Sequence, residues 1–199
     1  MAMETEAKIR MDDLVELAGR LFELGAVREG ECLERNWVLD DETGSLEKRG
    51  LLLRVRSLGD VGGIFTVKRP AEAGRFKTRE EMESMVDSTS DFLSQLHMLG
   101  YHVSWIYEKR RQTWQWKGCV LSLDECPEMG SFIEIEGSAD KIIETCVDLG
   151  LDSKNHLDDN YLGLWQKYLA GRGEAKRNML FKRDDRTGDH DFDVLEGLF

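Results

Sequence analysis

The 199-residue chain lacks most of the short motifs from which a function is usually predicted. A Walker phosphate loop and a GxGxxG turn are both absent. The histidines are scattered, and none forms a recognisable nucleophile pair with a serine or cysteine. We therefore expect neither a Walker-type nucleotide site nor a nucleophilic hydrolase site, and we expect each histidine to be structural or exposed.

Cysteine and proline are also scarce. Cys32, Cys119, Cys126 and Cys146 form no CxxC pair and have no neighbouring histidine at zinc-ligand spacing. This pattern argues against a zinc site and predicts reduced thiols. With only two prolines in the chain, little interrupts strand pairing.

Long apolar runs are missing as well. Runs such as Leu51–Leu53 are far shorter than the roughly 20 residues of a membrane-spanning helix, and charged residues, not an apolar signal segment, follow Met1. We therefore predict a cytoplasmic protein of one domain with no membrane partner. Acidic residues outnumber basic ones 39 to 27, giving a net charge of −12, which argues against a broad nucleic-acid surface.

Charged and apolar residues alternate in several segments. Glu4-x-Glu6-x-Lys8 places two carboxylates and an ammonium on one face of a β-strand, because successive side chains point to opposite faces. One such strand is explained by a solvated face, but the same spacing recurs along the chain. The further segments are Leu52-x-Arg54-x-Arg56, Thr66-x-Lys68, Arg79-x-Glu81-x-Glu83, Lys109-x-Arg111, Ser122-x-Asp124 and Glu134-x-Glu136.

Four helices are predicted between these strands. Their apolar stripes begin near Asp12, Ser90, Ser138 and Asp158 and end at Gly25, Gly100, Gly150 and Gly171. The order of elements repeats, since each half of the chain contains a strand, a helix and three more strands. We therefore predict an α+β fold: an eight-stranded antiparallel β-barrel made of two βαβββ-like halves, with helices packed outside.

The apolar residues of the same strands indicate which way the charges point. Leu53 and Val55, like Ile133 and Ile135, alternate with charged residues and must face a dry environment. The leucine stripes of the helices can cover this outer face, which leaves the charged faces inside the barrel. Because burying an ion costs several kcal/mol, we predict a solvated tunnel that binds a polyanion through metal ions.

The residue types fit a tunnel in which cations bind phosphate and carboxylates bind metal. Arginines form paired hydrogen bonds with phosphate oxygens, whereas lysines supply compact point charges. Carboxylate oxygens suit Mg²⁺ or Mn²⁺, which keep waters and substrate phosphates as additional ligands. The tunnel is therefore predicted to hold phosphate on its cations and metal on its carboxylates.

Taken together, the order and spacing of these segments resemble the CYTH, or triphosphate tunnel metalloenzyme, family. The resemblance covers about Met1 to Leu169 and includes Gly130-x-Phe132-x-Glu134-Ile135-Glu136. It implies a divalent metal and a triphosphate or polyphosphate substrate. The implied metal ligands are Glu4, Glu6, Glu134 and Glu136, assisted by Glu81, Glu83 and Asp124. The implied phosphate-binding residues are Lys8, Arg54, Arg56, Lys68, Arg79, Lys109 and Arg111, and the implied catalytic residues are Glu4, Glu6, Lys8, Lys109 and Glu134. Arg75 and Lys77 precede Arg79 at the same alternating positions, which leaves the register of that strand open.

The resemblance leaves three functions open. The first is a phosphohydrolase acting on inorganic triphosphate, thiamine triphosphate or a nucleoside triphosphate, with an RNA 5′-triphosphate end as the one nucleic-acid substrate. The second is a class IV adenylate cyclase, because Leu99–His102 and Tyr107–Arg111 are similar to cyclase segments. The third, a non-catalytic polyphosphate- or nucleotide-binding module, ranks last because all the metal-binding carboxylates are present.

The C-terminal segment differs in composition from the rest of the chain. Residues 172–199 are dominated by charges, glycine and asparagine, which predicts a flexible or loosely docked tail after a tunnel domain of residues 1–171. A long antiparallel barrel wall also allows pairing with a second copy of the chain as a homodimer.

Overall fold

Eight antiparallel strands close into a barrel in the computed structural model, which describes residues 2–58, 62–70 and 74–182. The strands are β1 Ala2–Met11, β2 Val27–Asp41, β3 Leu52–Ser57, β4 Gly63–Lys68, β5 Lys77–Val86, β6 Tyr101–Trp116, β7 Cys119–Cys126 and β8 Gly130–Glu136. The helices are α1 Leu14–Glu23, α2 Ser45–Lys48, α3 Thr89–Met98, α4 Ala139–Asp148 and α5 Tyr161–Arg172. The predicted fold class is confirmed.

The barrel consists of two interlocked halves. Its strand order is β1-β5-β4-β3-β2-β6-β7-β8, and exchanging β1–β4 with β5–β8 reproduces the same ring. The first strand of each half pairs with the last strand of the other, β1 with β8 and β5 with β4. The predicted βαβββ repeat is therefore present, and neither half closes without the other.

Helices cover much of the outer wall of the barrel. Leu17 and Leu21 of α1 pack in one cluster with Ile133 and Ile135 of β8, while Leu93 of α3 packs in another. The apolar residues of the strands are thus buried on the outside, as predicted, and the alternation of the strands turns their charged residues inward. Among the described residues, no helix is both long and apolar enough to span a membrane.

The helix ends follow the predicted signals with small shifts. Gly25, Gly100 and Gly150 follow their helices with positive φ values of 81°, 89° and 67°, a conformation that glycine adopts without strain. Gly171, by contrast, lies inside α5, and the left-handed cap is Gly173 at φ 68°. At the other end, Asp13 and not Asp12 caps α1, because its carboxylate accepts hydrogen bonds from the Val15 and Glu16 amides.

The start of the predicted tail is docked on the barrel. The described register pairs β7 with Arg110–Trp116 of β6 only, and a parallel bridge between Met179 and Tyr107 lies on the earlier part of β6. The Met179 amide donates to the Ile106 carbonyl at 3.1 Å, and the Glu108 amide donates to the Met179 carbonyl at 2.8 Å. A short strand edge is thus sealed, and the part of the predicted tail from residue 183 to 199 lies outside the described residues.

We predict that this docking contributes measurably to stability. Met179 is fully buried, at 0% exposure, so Met179→Ala should lower the free energy of unfolding by about 2–5 kcal/mol through lost contacts and a cavity. Urea denaturation followed by circular dichroism measures this loss. The matched control, Met98→Ala, removes a methionine that is 86% exposed and should change stability by less than about 0.5 kcal/mol. Equal effects of the two variants would contradict the docked arrangement.

Candidate functional site

The charged residues meet in a cavity inside the barrel. Among the residues that the structure describes, eight cations line it: Lys8, Arg54, Arg56, Lys68, Lys77, Arg79, Lys109 and Arg111. Six carboxylates line the same cavity: Glu4, Glu6, Glu81, Glu83, Glu134 and Glu136. Every residue predicted to bind phosphate is in this lining, and of the predicted metal ligands only Asp124 is outside it.

Neighbouring strands place these opposite charges in contact. Lys8 of β1 lies opposite Glu134 of β8 in the register, and their charged groups are 3.2 Å apart. Lys68 of β4 contacts both Glu4, at 2.6 Å, and Glu81, at 2.8 Å. Each lysine therefore has a carboxylate partner that an anionic ligand can replace.

Asp124 lies behind the lining and holds two of its cations. Its carboxylate accepts two hydrogen bonds from Arg111, at 2.7 and 2.6 Å, and one from Lys109, at 3.0 Å. The Tyr161 hydroxyl donates a fourth at 2.6 Å, and Asp124 is fully buried. Because its oxygens are occupied by these partners, Asp124 is placed to fix Arg111 and Lys109, and it does not line the cavity.

Glu34 is a second buried carboxylate, and the sequence analysis missed it. It contacts Arg56 at 3.0 Å, Lys109 at 3.4 Å and Arg111 at 3.8 Å. Burial opposes its ionisation, but the charges of Lys109, Arg111 and Arg56 hold its pKa below the usual range. Glu34 stands in no alternating charged segment, so only its position opposite Lys109 in the β2–β6 ladder reveals it.

Two guanidinium groups in the lining have an unused donor. The Nε atoms of Arg54 and Arg79 are buried and, within the described residues, have no hydrogen-bond partner. A buried donor without an acceptor costs about 1–3 kcal/mol. An acceptor placed in the cavity, such as a phosphate oxygen, would satisfy these two donors.

Several lining carboxylates are crowded together. Burial and a hydrogen bond shared with Glu4 raise the pKa of Glu81, whereas the same bond and the Lys68 ammonium lower the pKa of Glu4 against the effect of burial. Burial and the charge of Glu4 raise the pKa of Glu136 to about 7. A cation near these three groups would relieve their repulsion.

The oxygen donors of this crowded group suit a hard divalent ion. Within residues 2–58, 62–70 and 74–182, however, no three histidine, cysteine or acidic side chains are arranged as a ready metal site.

Helix α5 supplies a residue that was predicted only as part of an apolar stripe. Tyr161 lines the cavity at the start of α5. Its ring centre is 3.8 Å from the Lys8 ammonium and 5.0 Å from the Lys109 ammonium, distances typical of cation–π contacts. Tyr161 thus joins two lysines of the lining to the buried Asp124.

The register of β5 resolves which of its cations face the cavity. Glu4 lies opposite Arg79, and Glu6 lies opposite Lys77 with their charged groups 3.0 Å apart. Arg75 instead donates to the Ser153 hydroxyl at 3.2 Å and is not part of the lining. Of the three cations between which the sequence left the register open, Lys77 and Arg79 therefore line the cavity and Arg75 does not.

We predict that Asp124 and its neighbour Glu125 differ sharply in their effect on stability. Asp124→Asn leaves two buried cations without their carboxylate and should lower the free energy of unfolding by about 3 kcal/mol or more. Glu125→Gln removes an exposed pair with Arg110 and should cost less than about 1 kcal/mol. Chemical denaturation of both variants measures the difference, and similar losses would contradict the described role of Asp124.

The chain is similar to known proteins in sequence and in fold. The family model described as "CYTH domain" matches residues 2–148. Among solved structures, a putative adenylate cyclase from Vibrio parahaemolyticus aligns with TM-score 0.74 and 18% identity over 82% of this chain and 98% of that chain. A Pyrococcus horikoshii protein aligns with TM-score 0.69 and 22% identity over 81% and 98% of the two chains. The search of curated proteins gave no match.

A third similar structure spans nearly the whole chain. It is a putative adenylyl cyclase from Hippeastrum, described as having a dominant triphosphatase activity. It aligns with TM-score 0.56 and 15% identity over 99% of this chain and 96% of that chain. At these identities the structural likenesses show the fold.

Proposed function

The chain belongs to the CYTH domain family, and from this premise we propose that it is a divalent-metal-dependent phosphohydrolase that cleaves a triphosphate held inside the barrel. Members of the family bind triphosphates and are generally triphosphatases. The observation that carries the proposal is the cavity lining, in which eight cations of the described residues face one space. A linear polyanion is the ligand that uses so many convergent cations.

Binding would proceed by exchange of partners. Lys8, Lys68 and Lys77 each contact a carboxylate of the lining, and phosphate oxygens would replace these carboxylates. Arg54 and Arg79 would each gain an acceptor for the buried Nε that has none among the described residues. Lys109 and Arg111 are already fixed by Asp124. Their side chains would therefore lose little further conformational entropy when they bind phosphate.

The carboxylates of the lining, several of them released by this exchange, are the candidates for metal binding. Glu4, Glu81 and Glu136 form the crowded group described above and would hold Mg²⁺ or Mn²⁺, with Glu6, Glu83 and Glu134 as further predicted ligands. The ion would neutralise charge that develops on the phosphoryl oxygens. Asp124 is reassigned in this proposal to positioning Lys109 and Arg111.

The chemistry is the transfer of a phosphoryl group to water. The water oxygen forms a bond to the terminal phosphorus while the bond from that phosphorus to the bridging oxygen breaks. A carboxylate of the lining accepts the proton of the water, and the cations stabilise the charge on the leaving diphosphate. The residues of the chain thus supply position and charge, which is most of what this reaction requires.

We expect the purified protein to release orthophosphate from tripolyphosphate, thiamine triphosphate or ATP when Mg²⁺ or Mn²⁺ is present. Excess EDTA should abolish the release. Glu4→Gln and Lys8→Ala should each lower kcat/KM by about 10²–10³-fold, the usual effect of losing one charge-stabilising group. Glu125→Gln, which changes an exposed residue that does not line the cavity, is the matched control and should retain activity.

Two outcomes would overturn the assignment. Cyclic AMP formed from ATP with an equal amount of pyrophosphate would show the cyclase reaction, in which the ribose 3′-hydroxyl attacks the α-phosphorus. Orthophosphate release that survives in Lys8→Ala would show that the reaction does not take place in the tunnel. Chromatographic separation of phosphate, pyrophosphate and cyclic AMP distinguishes these results.

A further inference from the structure

Glu34 is placed so that its charge acts on three cations of the cavity lining. Its carboxylate lies 3.0 Å from Arg56, 3.4 Å from Lys109 and 3.8 Å from Arg111. The Glu34 side chain is only 5% exposed and does not line the cavity, whereas all three cations do. A ligand in the cavity would therefore meet these cations while Glu34 stays in contact with them.

Glu34 contributes charge more than geometry. Its Oε2 atom is buried and has no hydrogen-bond partner among the described residues. Asp124 differs, because its oxygens accept four hydrogen bonds and fix two of the three cations in place. Asn36 fixes the third, since its side-chain oxygen accepts from the Arg56 Nε at 2.9 Å. Hydrogen bonds to other residues thus hold the cations in position, and Glu34 supplies negative charge beside them.

The negative charge of Glu34 decides how much positive charge is left for a ligand. Two buried carboxylates, Glu34 and Asp124, contact three cations of the lining. The buried carboxylates therefore leave one of these positive charges unbalanced. If Glu34 were neutral, two would be left. The charge of Glu34 also opposes the lowering of the Arg56 pKa that burial and the neighbouring Arg54 cause.

A fixed negative charge beside the cations affects anions according to their own charge. Its repulsion of a bound anion grows with the charge of that anion. Pyrophosphate, tripolyphosphate and tetrapolyphosphate carry increasing negative charge at neutral pH. Glu34 therefore weakens the binding of each of them, and it weakens the binding of the longest most.

We propose that Glu34 is a specificity-determining residue that limits the charge, and hence the length, of the polyphosphate chain that the tunnel prefers. The inference rests on the proposed function, because it takes Arg56, Lys109 and Arg111 as phosphate-binding residues. Glu34 cancels one positive charge without occupying the cavity. The gain in affinity from each added phosphate group is thereby reduced.

The test measures the binding of pyrophosphate, tripolyphosphate and tetrapolyphosphate to the full chain by calorimetry. EDTA is present to prevent hydrolysis, and the ionic strength is held constant because salt screens charge. Glu34→Gln keeps the shape of the side chain and removes its charge. This variant should bind tripolyphosphate about tenfold more tightly, the scale of one unit charge in a partly hydrated site. The gain should be smaller for pyrophosphate and larger for tetrapolyphosphate.

Glu31→Gln is the matched control. Glu31 lies on the same strand and pairs with Arg28, but both side chains are 47% exposed and neither lines the cavity. Its replacement should change each affinity by less than about twofold. Unchanged or weaker binding by Glu34→Gln would overturn the proposal, because a merely structural role gives no gain of affinity. An equal gain for the three anions would overturn it as well.

A second comparison serves if Glu34→Gln does not fold, which thermal melting shows. Lys109→Met removes a cation and should weaken tripolyphosphate binding. Adding Glu34→Gln to Lys109→Met removes one charge of each sign and keeps the interior balanced. The double variant should bind tripolyphosphate at least threefold more tightly than Lys109→Met alone. Equal or weaker binding by the double variant would contradict the role assigned to Glu34.

Hydrolysis assays with Mg²⁺ or Mn²⁺ separate this inference from the proposed function. If no triphosphate is hydrolysed but the gain of affinity in Glu34→Gln rises with anion length, the hydrolase assignment fails and the role of Glu34 stands. If a triphosphate is hydrolysed but the gain is absent, the hydrolase assignment stands and the role of Glu34 fails. If neither the unchanged protein nor the variant binds any of the three anions, both fail.

Discussion

Charge balance inside a closed barrel is the constraint on which the rest of this structure depends. Cations that face a poorly solvated interior are costly unless carboxylates lie within contact distance. The lining meets this requirement with Glu4, Glu81 and Glu134 on neighbouring strands, and Asp124 and Glu34 add negative charge from behind. The apolar residues are consequently left for the outer wall, where helices cover them.

The carboxylates that line the cavity and those buried behind them differ in whether a ligand can displace them. Asp124 makes four short hydrogen bonds and is inaccessible, so it holds Arg111 and Lys109 in fixed positions. Glu4 lies in the lining itself and shares Lys68 with Glu81. A ligand can displace the lining carboxylates without unfolding the layer behind them. The interior is thus rigid where geometry must be kept and exchangeable where a substrate must enter.

Much of this arrangement could be predicted from the sequence because strand alternation has a fixed period. Glu4, Glu6 and Lys8 occupy alternate positions and so lie on one face of their strand. The apolar residues between such charged positions had to be covered by helices, so the charged face was predicted to point into the barrel. Alternation alone could not identify Glu34, because its role depends on which residues lie opposite it. It also could not decide among Arg75, Lys77 and Arg79, which occupy alternate positions of one segment. Nor could it show that Asp124 is covered by Lys109, Arg111 and Tyr161 and so does not line the cavity.

Elements that depend on tertiary contacts were the hardest to predict. Tyr161 belongs to an apolar helix stripe, and only the position of α5 brings its ring to Lys8 and Lys109. The docking of Met179 follows from the difference in length between β6 and β7, which no local pattern encodes. The predicted helix end at Gly171 was wrong for a similar reason: glycine permits a helix to end but does not require it.

The exchange of first strands between the two halves has a consequence for folding. Glu6 lies opposite Glu136 in the β1–β8 ladder, although most of the barrel sequence separates the two residues. Contacts so distant along the chain slow folding, because a long loop must close before they form. On a ribosome, β1 could pair with β5, but its second neighbour would be missing until β8 had been made. The strand that carries Glu4, Glu6 and Lys8 is therefore completed late, and a partly synthesised chain has no charged tunnel in which to bind a polyanion.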